Sequence, residues 1–188
     1  HIYGETVRKY IPIFEEFYGN EFQKAQSVCG FSPESKEIVE KIKGSCDLVT
    51  LNKVIRNSAC MSSDVSAAVD PNYDHVNEKK NSAFFNKGIA LMKYSGARGK
   101  SGTNEATAEL VRKITDMFDE NGVAWQTAEL GKVDEGGGGT VAQYFAVLNI
   151  DVIDCGVPLL SMHAPFEIAS KYDVYMGYKA YKALFESK

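Results

Sequence analysis

From Gly88 onward the chain alternates short apolar runs with longer amphipathic ones, and this alternation restricts its fold more than any other feature. GIALMKY (88–94), VAWQTAE (123–129) and DVIDCGVPLLSM (151–162) read as strands. TNEATAELVRKITDMFDENG (103–122), TVAQYFAVLN (140–149) and PFEIASKYDVYMGYKAYKALFE (165–186) read as helices. The first of these helices lines Leu110, Val111, Ile114, Met117 and Phe118 along one face and closes at Asn121-Gly122. Strands separated by helices of about 10–20 residues specify an α/β fold, a three-layer sandwich around a largely parallel central sheet.

The first quarter of the chain has a different rhythm. Val7, Tyr10, Ile11, Phe14, Phe17 and Tyr18 recur at helical spacing over 5–18, with Pro12 as a kink and Gly19 as a stop. A second helix is framed by Ser32, Pro33 and Gly44, with Ile38, Val39 and Ile42 as its apolar face. A short helix over 47–56 and a strand over 59–65 follow. The chain therefore divides into a mostly helical stretch, 1–51, and an α/β stretch, 52–188. The Glu15-Glu16 pair reads as the polar side of the first helix.

Composition narrows the function. With 188 residues, 44% of them hydrophobic, the chain can bury one real core. A net charge of -4 argues against nucleic acid or an anionic membrane as partner. No apolar run approaches the ~20 residues that span a bilayer, and Glu5, Arg8 and Lys9 interrupt any secretory leader. Cys29, Cys46, Cys60 and Cys155 contain no C-x-x-C pair. They read as reduced, structural thiols of a cytoplasmic protein rather than a disulfide framework. Residue 1 is His rather than Met, so a processed chain or a piece of a longer one is expected.

Four places carry chemistry. Asp64 follows Ser62-Ser63 where an apolar strand gives way to Asp70-Pro71-Asn72-Tyr73. An acid there is either a turn cap or a metal ligand at the edge of a sheet. His163 ends the run VIDCGVPLLSM and is either a hydrogen-bonded structural residue or a second ligand. Gly136–Gly139 before Thr140 is a flexible loop or a backbone surface for a ligand. It lacks the Lys-Ser/Thr of a nucleotide-binding loop, which removes the nucleotide reading. Arg98 and Lys100 in GARGKSG form a solvated basic loop or a positive pocket for an acidic side chain or a carboxylate.

Taken in order, SSDVSAAVDPNY, KYSGARGKSGTN, WQTAELGKVDEGGGGT and DVIDCGVPLLSMHAPFEIASKYDVYMGYKAYKA resemble the aspartyl-aminopeptidase family of zinc exopeptidases, in its bacterial branch. The similarity runs from about residue 52 to the end and matches the C-terminal part of the family's catalytic domain. It implies an aminopeptidase acting on the N-termini of peptides, with two zinc ions per site and manganese or cobalt as alternatives. It also implies a homo-oligomer built from dimers, up to a dodecamer. By the same resemblance Asp64 binds one zinc and His163 the other. Arg98 falls near the family's basic residue for acidic side chains, and Lys100, Gly138 and Gly139 join it as candidate substrate-binding positions.

The family's His-x-Asp ligand motif, its bridging Asp, its Glu-Glu pair and its inserted dimerisation domain have no counterpart in this sequence. The first Glu of that pair is the family's general base. The resemblance thus implies half a metal site, inactive alone and a poor independent folder. The competing reading is a catalytically inactive segment serving homo-oligomer assembly.

Overall fold

The computed structural model describes residues 37, 40, 41, 44, 47–98, 101–132 and 134–187. The helix expected over 5–18, Cys29, Cys46 and Lys100 lie outside the described residues. Of the second expected helix, Glu37, Glu40 and Lys41 are helical, and Gly44 at φ 79° donates its N–H to the Glu40 carbonyl, as a helix-ending glycine does.

Two compact units divide after Arg56. Helix α1 (Leu48–Arg56) belongs to the first and buries Leu51 and Ile55. The second unit begins with β1 (Ala59–Ser62), β2 (Ser66–Ala67) and a 3-10 turn, Pro71–Val76. It continues through β3 (Ile89–Met92), β4 (Tyr94–Ala97), β5 (Ser101–Glu105), α2 (Ala108–Glu120) and β6 (Trp125–Thr127). Then come β7 (Gly137–Gly138), α3 (Ala142–Val147), β8 (Asp151–Gly156), β9 (Pro158–Leu160), β10 (Ile168–Ala169) and α4 (Lys171–Glu186).

Ile89-Ala90-Leu91-Met92 offers no polar side chain to either face, so the segment needs both faces covered. It is an inner strand of a four-stranded sheet in the order β1-β8-β3-β6. β1 runs parallel to β8 and β3 parallel to β6, while β3 and β8 meet antiparallel in the middle. The sheet is largely parallel, as expected, around one antiparallel joint. Side chains alternate along each strand. Ile89 and Leu91 of β3 and Ile153 and Cys155 of β8 share a core with Leu110, Ile114 and Phe118 of α2 and Met176 and Ala180 of α4. Ala90 and Met92 point the other way, into a smaller cluster with Ala83 and Ala128. Helix α3 packs against β8.

Both long helices start where a hydroxyl can cap them. Thr107 accepts from the Leu110 N–H at 3.2 Å, and Ser170 accepts from the Tyr172 and Asp173 N–H groups.

The run 151–162 is two strands rather than one. Past Gly156 it leaves the main sheet, and as β9 it joins a small sheet in the order β10-β9-β2. The first strand likewise ends at Ser62 rather than 65, and the chain resumes as β2 beside β9. Helix α4 starts at Lys171 rather than Pro165, because Ile168 and Ala169 pair with β9 before Ser170 caps the helix. No helix among the described residues is long and apolar enough to cross a membrane.

Candidate functional site

Because β1 and β8 run in parallel with Ser62 beside Asp154, both strands deliver the chain to the same edge of the main sheet. Asp64 stands just beyond that edge, half-buried, with Oδ1 accepting the Val65 N–H at 3.0 Å. Its backbone lies against Gly156. A Cβ added to Gly156 would overlap the Asp64 carbonyl oxygen and stand 2.9 Å from the Val65 Cα. Only glycine at the end of β8 lets the candidate ligand sit so close to the sheet.

His163 lies in the turn that follows β9. Ser161 (φ 59°) and His163 (φ 68°) are both left-handed, and the Ala164 N–H closes the turn onto the Ser161 carbonyl at 2.9 Å. The His163 N–H donates to Glu167 Oε1 at 2.6 Å, and the chain returns as β10. Neither the turn geometry nor Glu167 was legible as part of a site in the sequence. The residue itself is exposed, as are Phe166 and Ile168 beside it.

β2 and β9 are parallel, and Asp64 precedes one while His163 follows the other. The two therefore stand at opposite ends of this strand pair, with no hydrogen bond between them. Carboxylate and imidazole are donor types that zinc accepts. Among the described residues, however, no group of three or more His, Cys, Asp or Glu side chains is gathered. Asp64 and His163 fit as single ligands, and a closed site needs others.

The two glycine-containing segments come together. Gly137 and Gly138 form β7, which pairs antiparallel with β4: Gly138 beside Gly96, Gly137 beside Ala97. The glycine run is thus a strand edge and not a free loop, and GARGKSG is the end of one strand and the start of the next. Arg98 (φ 47°), exposed, donates its N–H to the Gly136 carbonyl at 2.9 Å. Gly136 therefore lies against Arg98, and Gly138 sits further along the same pairing, beside Gly96. A cleft of about 310 Å³ opens beside them, lined by Tyr94, Ser95, Gly96, Glu129, Lys132 and Gly136 among others.

Beneath this sheet runs a chain of buried polar side chains that the sequence reading missed. Asp154, the inner of the two acids of β8, is fully buried. Thr140 Oγ1 donates to its Oδ2 at 2.6 Å, and the other oxygen has no partner. Ser95 Oγ lies 3.4 Å from Thr140 Oγ1 and bonds to Asn104 Oδ1. Burial pushes the Asp154 carboxyl above the usual carboxylate range. The Thr140 and Ser62 hydroxyls oppose that rise, and the nearby charge of Asp64 adds to it. An acid among apolar neighbours was the one available signal.

Cys60 and Cys155 are free thiols. Burial, with a contribution from Asp154, raises Cys60 to about 11 and Cys155 further still, so both are inert structural residues.

Residues 30–185 match the family model described as aminopeptidase I zinc metalloprotease (M18). The chain is 52% identical over 144 residues to a probable M18 family aminopeptidase 1 of Clostridium acetobutylicum, a match covering 77% of this chain and 31% of that protein. The crystal structure of an M18-family aminopeptidase from Thermotoga maritima superposes with a TM-score of 0.74 at 48% identity, covering 79% of this chain and 33% of that one. The S. cerevisiae mApe1 dodecamer shares the fold alone, at 24% identity and a TM-score of 0.57, over 72% of this chain and 28% of that one. The chain spans about a third of the length of the curated relatives it matches.

Proposed function

The chain belongs to the M18 family of aminopeptidase I zinc metalloproteases, and from that membership we propose that it forms part of a metal-dependent aminopeptidase that removes N-terminal residues from peptides. Asp64 supplies one ligand to one zinc, and His163 one ligand to its neighbour. The remaining ligands and the general-base Glu come from sequence that this chain does not contain. The observation that supports the assignment best is that Asp64 stands where the parallel strands β1 and β8 end, while His163 follows β9, the strand that continues from β8; carboxylate and imidazole are both zinc donors.

When bound, the zinc pair polarises the scissile carbonyl and activates water. The chain's own residues do the rest of the work on this side of the cleft. Arg98, with Lys100, attracts an acidic side chain or carboxylate of the peptide. Gly138 and Gly139 present bare backbone to its main chain. The protein works in the cytoplasm as a homo-oligomer. Its buried free thiols suit a reducing compartment, and an oligomer suits a fold also found in a yeast dodecamer.

The test is an assay of the purified 188-residue chain and of the assembled enzyme, with aminoacyl-nitroanilides and added zinc, manganese or cobalt. The expected result is turnover by the assembled enzyme and none by the 188 residues alone, because a ligand set of one residue per metal cannot hold zinc tightly. Metal-dependent turnover by the chain alone would overturn the division of ligands. The absence of any three-ligand group among the described residues also supports a second reading, an inactive segment serving assembly. That reading gains if the assembled protein binds no zinc.

A further inference from the structure

Glycine strands do not hold themselves in place. Gly137 and Gly138 have no side chains to pack, and their pairing with β4 covers only two residue pairs. Glycine is nevertheless required there: Gly137 has φ 89°, and a Cβ on it would overlap the Gly96 carbonyl oxygen. Something outside the strand has to fix it.

Thr140 is the first residue after the glycines with a side chain, and it is buried. Its hydroxyl points inward, to Asp154 Oδ2 at 2.6 Å. Asp154 sits on β8 between β1 and β3, in the most enclosed part of the sheet. It has no cationic partner, and its second oxygen is unpaired. A buried carboxyl group held by one short hydroxyl bond, with the Ser62 hydroxyl only nearby, is a poor source of stability. Its contact is specific, however. Ser95 of β4, bonded to Asn104 of β5, places its hydroxyl 3.4 Å from Thr140 Oγ1, so buried polar side chains of β4 and β5 pack against the exit of β7.

We propose that Asp154 is a positioning residue for the peptide: through Thr140 it holds the glycine strand Gly137–Gly138 in register on β4, and so fixes the backbone wall that meets the substrate. The assignment rests on the reading above that Gly138, Gly139 and Arg98 face substrate. Asp154 is buried beneath that wall and is not one of the residues assigned to metal or peptide. Its effect belongs to binding, because a misplaced wall weakens peptide affinity without altering the groups that break the bond.

The experiment uses the complete, zinc-loaded enzyme. Thr140→Val keeps the side-chain shape and removes the hydroxyl, while Thr140→Ser and Asp154→Asn keep a hydroxyl and an acceptor oxygen. Thr140→Val should raise KM about tenfold, the equivalent of one hydrogen bond to a carboxyl group, with kcat and zinc content unchanged. It should also speed amide hydrogen exchange across residues 136–140 by about the same factor. Thr140→Ser and Asp154→Asn should restore both. If Thr140→Val does not fold, Asp154→Leu removes the same bond from the other side and is read in the same way. Wild-type KM and wild-type exchange in the folded variant would overturn the proposal, as would a fall in kcat or zinc with KM unchanged. If the wild-type enzyme shows no aminopeptidase activity, the functional reading fails, and the exchange rates still decide whether Asp154 holds the strand.

Discussion

Gly156 and Asp64 meet backbone to backbone at the edge of the sheet, and a Cβ on Gly156 would occupy the space of the Asp64 carbonyl oxygen. The last residue of β8 thereby sets how far Asp64 stands from the sheet. Gly156→Ala must push Asp64 outward, at a cost of about 1–3 kcal/mol in stability. In the assembled enzyme it should also lower zinc occupancy and activity. Thermal unfolding with metal analysis checks both, and full zinc at wild-type stability would mean that the edge yields.

His163→Ala in the assembled enzyme should remove one zinc and most of the activity while leaving the fold intact. Cys60→Ala is the contrast: it should cost about 1 kcal/mol through lost packing, with zinc unchanged. Equal zinc in wild type and His163→Ala would end the ligand assignment.

Arg98→Ala should raise KM about tenfold for peptides with an acidic N-terminal residue and leave apolar ones unaffected, since only the former offer a carboxylate to the guanidinium. A panel of aminoacyl substrates separates the two cases. A uniform rise across the panel would mean that the loop itself had been disturbed.

Asp173 secures a different part of the fold. Fully buried near the start of α4, it accepts the Asn86 N–H and the Gly88 N–H, each at 2.7 Å. Asp173→Ala strands both donors and should cost about 2–3 kcal/mol. Urea unfolding measures it. A loss below about 0.5 kcal/mol would show that water replaces the carboxylate.

Asp154 makes stability depend on pH. Burial raises its folded pKa above that of the unfolded chain, so the folded state keeps its proton to higher pH. The stabilisation is complete below the ordinary carboxylate range, near about pH 4, and is lost as pH rises through the folded value. Asp173 is raised too, chiefly by burial and against the pull of the Gly88 and Asn86 N–H groups, so it has the same sign and must be retained in both proteins compared. Wild type should therefore lose stability relative to Asp154→Asn as pH climbs from 4 towards neutrality. Urea midpoints at several pH values give the slope, and parallel curves would mean that Asp154 does not titrate differently on folding.

The periodicity of residues 88–186 was enough to specify an α/β layering and the face of α2 that carries Leu110, Ile114 and Phe118, because burial of an amphipathic face is a local instruction. Other features were not local. Nothing in DVIDCGVPLLSM says that the chain changes partner at Gly156, since apolar residues suit either sheet, and the break follows from β2 offering an edge to β9. GGGG has no side-chain alternation to announce a strand, and it became one only because Gly96 lies alongside. Asp64 and His163 stood out in the sequence as residue types at the ends of apolar runs. Asp154 was not singled out in the sequence, and its meaning came from Thr140, which reaches it from outside β8. Burial patterns are written along the chain, whereas a hydrogen bond between distant elements exists only once packing has brought its two ends within about 3 Å.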